Sequence, residues 1–180
     1  LKEAIRFCGR NIKIKDNGFS LCMKAVVGLD FPNAELRGIE IHSNRFHLIG
    51  SSFRDIGASE SFAIDLHDRY FGIKISDNII DASKNFIRCG LDRTIIQNNQ
   101  MYHSYGDFLH VLDNGGKFYE GWNISNNTLS DPQNISAPVG SDAELRYVGY
   151  FIFAPSGDVW NGSITNNNVS FTRKHGMYFN

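Results

Sequence analysis

One short pattern recurs six times along this chain, and each copy carries a polar residue, nearly always asparagine, at the same place. The first three copies are Ile12-Lys-Ile14-Lys-Asp-Asn17-Gly-Phe19, Phe46-His-Leu48-Ile-Gly-Ser51-Ser-Phe53 and Ile73-Lys-Ile75-Ser-Asp-Asn78-Ile-Ile80. The others are Thr94-Ile-Ile96-Gln-Asn-Asn99-Gln-Met101, Trp122-Asn-Ile124-Ser-Asn-Asn127-Thr-Leu129 and Gly162-Ser-Ile164-Thr-Asn-Asn167-Asn-Val169. Alternation interrupted by a single asparagine describes a strand, a sharp bend and a second strand. Asparagine accepts left-handed backbone angles at low cost, and its amide can hydrogen-bond to another asparagine stacked on it. A unit that recurs at fixed phase and cannot bury its apolar face alone marks a solenoid.

A further alternating strand is read before each copy: Ile5-Arg-Phe7, Ile39-Glu-Ile41, Ile64-Asp-Leu66, Ile87-Arg-Cys89, Leu109-His-Val111 and Phe151-Ile-Phe153, with a last one at Met177-Tyr-Phe179. Between positions 39, 64, 87 and 109 the turns of the chain are 25, 23 and 22 residues long. Three short strands per turn predict an all-β fold, a right-handed single-stranded parallel β-helix of about six coils stacked at about 4.8 Å per coil. The period-two alternation excludes a helical reading. A β-sandwich gives no reason for one asparagine bend at one phase six times.

Residues 1–180 read as a single β-helix domain with loop insertions at 20–38 and 130–150. Long excursions on a solenoid map to one side and build its binding face. The sequence opens and closes within strand repeats, and a solenoid needs caps over its end coils, so the chain reads as a segment of a longer helix. No apolar run is long enough to cross a membrane as a helix. The net charge of -1 argues against a nucleic-acid partner, which calls for a basic face. Cys8, Cys22 and Cys89 show no metal-ligand spacing, and Cys89 falls at an inward phase between Leu66 and Val111, as core filling. The Asn-x-Ser/Thr sequons at Asn123, Asn126, Asn134, Asn161 and Asn168 follow from bend chemistry in a chain rich in these residues.

On each first strand the residue between two apolar anchors points outward. That column reads Arg6, Glu40, Asp65, Arg88, His110, Ile152, Tyr178, with His42 and His67 in the next outward position. Glu40 and Asp65 would then lie side by side, flanked by Arg88 and His110. Stacked carboxylates share a proton, recruit a cation such as Ca2+, or are neutralised by a neighbouring arginine. Each answer serves chemistry on an acidic sugar. A cation or Arg88 would neutralise the sugar carboxylate, His67 or Arg88 would take the C5 proton, and Tyr102, Tyr105 or Tyr178 would donate one. Hydrolysis would use one carboxylate as acid and the other as base or nucleophile. The competing reading is a solvated sheet face whose ion pairs contribute only a few tenths of a kcal/mol.

The repeat and its charged first-strand column resemble the pectate-lyase-like right-handed β-helix superfamily over essentially the whole chain. A sharper local likeness is Phe62-Ala-Ile-Asp65-Leu-His67-Asp68, which is similar to the Tyr-Gly-(Phe/Ile)-Asp-Pro-His-(Asp/Glu) motif of mannuronan C5-epimerases. Phe62 stands where that motif has tyrosine, and Leu66 where it has proline. The resemblance implies catalytic roles for Asp65 and His67. The superfamily spans lyases, hydrolases, epimerases, bacteriophage tailspikes and adhesins, so the fold alone does not fix the reaction. The expectation is a domain acting on an acidic polysaccharide, outside the cell, at a cell surface or on a virion. In this reading Asp65, His67, Arg88 and Glu40 are catalytic, and His42, His110, Tyr102, Tyr105 and Tyr178 bind substrate. The alternative is a non-catalytic receptor-binding or structural segment of a tailspike or adhesin, homotrimeric if tailspike-like.

Overall fold

The computed structural model describes residues 3–30, 36–50, 61–102, 106–112, 118–130, 150–154, 159, 161–170 and 176–179. Among these residues there are nineteen strands and no helix. In chain order they begin β1 (Glu3–Phe7), β2 (Lys13–Lys15), β3 (Gly18–Ser20), β4 (Lys24–Gly28), β5 (Arg37–His42) and β6 (Arg45–His47). Next come β7 (Phe62–Leu66), β8 (Phe71–Ser76), β9 (Ile79–Asp81), β10 (Asn85–Cys89), β11 (Ile95–Gln97) and β12 (Gln100–Tyr102). The last are β13 (Leu109–Val111), β14 (Asn123–Ser125), β15 (Thr128–Ser130), β16 (Ile152–Ala154), β17 (Ser163–Thr165), β18 (Asn168–Val169) and β19 (Met177–Phe179).

Every third strand joins the same sheet. The first sheet runs β1-β4-β7-β10-β13-β16-β19, the second β2-β5-β8-β11-β14-β17 and the third β3-β6-β9-β12-β15-β18. All pairings are parallel, each strand lying beside its equivalent from the neighbouring circuit. This topology is consistent with a parallel β-helix.

The interior explains why these segments form strands. On the second sheet the inward residue is isoleucine in every circuit: Ile14, Ile41, Ile75, Ile96, Ile124 and Ile164 are in register. β-Branched side chains suit this pleated stack, and Ile41, Ile75, Ile96 and Ile124 are fully buried. Leu66, Cys89 and Val111 are likewise fully buried on the first sheet, as their inward phase requires. Burial pushes the Cys89 thiol up to about 12, which suits core filling rather than reaction. Where the third sheet turns into the first, Phe19, Phe46, Phe86, Phe108 and Phe151 form a continuous row of ring contacts with successive centroid separations of 5.1, 6.1, 5.3 and 5.0 Å.

The bend between the second and third sheets carries the asparagines. Asn17, Asn44, Asn78, Asn99, Asn127 and Asn167 form a continuous ladder, in which the backbone N–H and Nδ2 of each donate to Oδ1 of the next. Nδ2 also donates to a carbonyl of the circuit before, as from Asn78 to Ile41 and from Asn99 to Ile75, both at 3.0 Å. A buried amide therefore has its donors and acceptor satisfied.

Three expectations are corrected here. The ladder position of the second circuit is Asn44, not Ser51, so the repeat there is Ile39-Glu-Ile41-His-Ser-Asn44-Arg-Phe46. It follows that Ile39–Ile41 lies in the second sheet rather than the first, and Lys24–Gly28, read as part of an insertion, is the first-sheet strand. Finally, the left-handed residue is the one before each ladder asparagine: Asp16, Ser43, Asp77, Asn98, Asn126 and Asn166 have φ between 54° and 58°. Placing the strain one residue earlier leaves each ladder amide free to align with the next. The insertion expected at 130–150 falls, from 131 to 149, outside the described residues.

Candidate functional site

Register fixes the outward column of the first sheet as Arg6, Val27, Asp65, Arg88, His110, Phe153 and Tyr178. Two members differ from expectation. Val27 takes the place assigned to Glu40, because β4 rather than β5 pairs with β7. Phe153 takes the place assigned to Ile152, whose side chain turns inward and is fully buried.

Asp65 sits at the centre of the charged half and is only 6% exposed. Arg88 grips it with two parallel bonds, Nε to Oδ1 at 2.7 Å and Nη2 to Oδ2 at 2.8 Å. Lys24 donates Nζ to Oδ2 from the opposite side. Paired, charge-assisted bonds of this kind offset the cost of holding a carboxylate out of water. Two cations against one carboxylate leave the triad with one net positive charge. Lys24 and Arg88 keep 21% and 23% of their side chains exposed, enough to offer that charge to a ligand. The Arg88 guanidinium also lies 5.0 Å from the centre of the Phe62 ring, a cation–π contact that fixes its plane.

Beside the triad is an open depression of about 400 Å3 lined by Val27, Gly28, Asp65, Leu66, His67, Asp68, Arg88 and Leu112. His67, exposed at its rim, pairs through Nδ1 with Asp68. Its Nε2 lies 3.9 Å from Asp30, which is held in turn by Arg69 at 2.8 Å. The imidazole lies between two carboxylates, Asp68 at Nδ1 and Asp30 at Nε2. The geometry therefore brings together Asp65, His67 and Arg88, as the sequence predicted, and adds Lys24.

Along the same face an aromatic row runs away from the cations. The His110 ring lies 5.8 Å from Phe62 and 4.9 Å from Phe153, with Nδ1 3.7 Å from Asp107. Phe153 stacks on Tyr178 at 5.5 Å and an interplanar angle of 23°, and Tyr150 flanks Phe153 at 4.9 Å. Each of His110, Tyr150, Phe153 and Tyr178 is half-buried, so one side of the row remains open to solvent.

The other predicted site residues lie elsewhere. Glu40 is an exposed second-sheet residue between Lys13 and Lys74, and its bond to Lys13 at 2.8 Å holds its carboxyl below the usual range. Glu40 and Asp65 are thus on different sheets and do not form the carboxylate pair expected to hold a cation. Among the described residues no group of three or more His, Cys, Asp and Glu side chains is arranged to hold a metal ion. His42 is also on the second sheet, in register with Lys15 and Ser76. Tyr102 is on the third sheet with its hydroxyl 2.6 Å from Gln100 Oε1, and Tyr105 lies outside the described residues.

Lys24 and Phe153 are the site residues that sequence reasoning missed. For Lys24 the missing signal was available: Ile39-x-Ile41-x-x-Asn44-x-Phe46 matches the repeat better than the segment chosen, and adopting it frees Lys24–Gly28 to be a first strand. For Phe153 no such signal exists, because Phe151-Ile-Phe153-Ala is apolar throughout and its phase cannot be read from alternation. No protein family, curated protein or solved structure matches the chain.

Proposed function

We propose that this chain is a right-handed parallel β-helix of about six coils whose first-sheet face handles an acidic polysaccharide. The observation that carries the reading is the Lys24–Asp65–Arg88 triad, a nearly buried carboxylate holding two partly exposed cations on a solvent-facing sheet. Such a triad neutralises a sugar carboxylate, while Asp65 serves as a positioning residue rather than a base because both its oxygens are engaged. His67, oriented by Asp68 in the same depression, is the proton acceptor. Taking the proton next to a sugar carboxylate stabilised by Arg88 and Lys24 leads to elimination or epimerisation. Hydrolysis is less favoured, because it asks for two carboxyl groups at work and Asp65 is bound up with cations. A protein of this kind works outside the cell, at a cell surface or on a virion.

The same saturation of Asp65 favours a second reading, a tailspike or adhesin segment that binds the polysaccharide on this face without turning it over. Incubation with acidic and neutral polysaccharides, following both binding and the appearance of ultraviolet-absorbing unsaturated ends, separates the two. Under the enzymatic reading His67→Gln, at an exposed position, lowers turnover by on the order of 100-fold with a small change in melting temperature, whereas Asp65→Asn also lowers stability because it leaves Lys24 and Arg88 without their anion. Under either reading Arg88→Ala weakens binding of acidic polymers with a steep salt dependence. Tight binding with no product from any polymer leaves the binding-only reading, and wild-type affinity in Arg88→Ala removes the triad from the site.

A further inference from the structure

The face that carries the triad is chemically divided along the stack. Its charged half consists of Lys24, Asp65 and Arg88. Its other half is the row of His110, Phe153 and Tyr178, and the charged group placed against it is a carboxylate, Asp107 beside His110, with Lys84 in the field of Asp107 rather than in the row. Asp107 also accepts the backbone N–H of Tyr150 at 2.9 Å, which fixes this carboxylate against the row. From Arg88 to Tyr178 is three strand spacings, about 14 Å, the length of a short oligosaccharide. A polymer charged at every residue would lay one carboxylate on the cations and bring others over aromatic faces next to Asp107. Neither the negative face of an aromatic ring nor a fixed carboxylate stabilises an anion.

We propose that the first-sheet face reads a heteropolysaccharide, taking an acidic sugar at Lys24 and Arg88 and stacking the apolar face of an uncharged sugar on Phe153 and Tyr178. This rests on the acidic-polysaccharide reading and narrows it to polymers in which acidic and neutral residues are mixed. The aromatic rings supply contact area with little loss of conformational freedom, because Phe153 is already held between His110 and Tyr178. The sugar's hydroxyls stay toward solvent while its C–H face covers the rings.

The test compares hyaluronate oligosaccharides, which alternate acidic and neutral residues, with polygalacturonate oligosaccharides, which are acidic throughout, and with neutral gluco-oligosaccharides. Affinities are measured calorimetrically for the wild-type chain and for Phe153→Ala, Tyr178→Ala, Phe153→Tyr and Arg88→Ala. Phe153→Ala and Tyr178→Ala should each weaken hyaluronate binding by about tenfold without changing its salt dependence. They should shift polygalacturonate affinity far less, and Phe153→Tyr should restore hyaluronate binding. Arg88→Ala should weaken both acidic ligands. Equal losses for the two acidic ligands in Phe153→Ala and Tyr178→Ala, or wild-type hyaluronate affinity in both variants, overturns the divided face. Binding of the neutral oligosaccharide alone, lost in Phe153→Ala and indifferent to Arg88→Ala, supports the aromatic half and overturns the acidic reading. Absence of binding to all three ligands overturns both. Melting curves of the variants confirm that each is folded, and Phe153→Tyr keeps the test decisive if the alanine variant is not.

Discussion

The corner between the second and third sheets and the outward face of the first sheet are built by the same repeat, yet they use it in opposite ways. At the corner each circuit repeats itself: isoleucine inside, a left-handed residue, then an asparagine that bonds to the next asparagine. On the first-sheet face no two neighbouring circuits agree, the column passing through arginine, valine, aspartate, arginine, histidine, phenylalanine and tyrosine. The contrast shows which positions the architecture dictates. A stacked amide works only if its neighbour is also an amide, and an inward column accepts only shapes that pack. A solvent-facing position one residue away carries no such demand, so its side chains are free to differ, and there they assemble a triad and an aromatic row.

If that division is right, the greatest loss comes from breaking the ladder. Asn99→Leu removes the acceptor of the Asn78 N–H and Nδ2 and the donor to Ile75 and Asn127. Each buried group left unpaired costs about 1–3 kcal/mol, so the variant should lose at least about 3 kcal/mol in denaturant unfolding. A parental midpoint would show that the ladder is ornament. Next comes the isoleucine column: Ile96→Ala should cost roughly 2–5 kcal/mol by opening a cavity in a fully packed stack. A cost below about 1 kcal/mol would mean that the site collapses freely and the column is loosely packed.

A further effect, smaller than these just above pH 9, depends on pH. The Cys89 thiol is raised from the ordinary 9.0 to about 12 by burial. A thiol kept protonated by folding contributes stability that is complete below its unfolded value and is lost as pH rises toward the folded one. Between about pH 9 and 12 the parent should therefore weaken by on the order of 1 kcal/mol per pH unit from this group, and Cys89→Val should flatten that alkaline limb. Identical alkaline limbs in parent and variant would place the thiol in contact with water. The smallest effect belongs to the face: Tyr178→Ser should cost no more than about 1.5 kcal/mol, since the ring is outward and half-buried and loses chiefly its stacking on Phe153. A larger loss would turn the aromatic row from a surface into part of the scaffold.

The same contrast explains what could be read in advance. Ile75, Ile96 and Ile124 announce themselves, because each stands three residues before a phase marker, the asparagine. Asp65 and Arg88 were placed correctly because each is a charge between two apolar anchors. Reading failed where the marker was ambiguous. His42-Ser-Asn44 offered an asparagine that was passed over for Ser51, and Glu40 moved to the wrong sheet with it. Lys24 was lost with that choice, and Ala25-Val-Val-Gly28, small and apolar on both phases, gave no alternation of its own to restore it. The pairing of Lys24 with Asp65 spans chain-distant strands, and only the register of β4 on β7 reveals it.

Two corners of the circuit differ in length as well as in chemistry. Between the second and third sheets the chain always spends two residues, as in Asp16-Asn17, Asp77-Asn78 and Asn126-Asn127. Between the first and second sheets the crossing varies from four residues after Leu66 to eleven after Val111. The asparagine corner thus works as a clock that resets the strand phase once per circuit, whatever happened on the other side. Errors in length do not accumulate along the stack. Such a molecule can gain or shed chain beside its charged depression one circuit at a time, altering what that circuit meets while its neighbours keep their register.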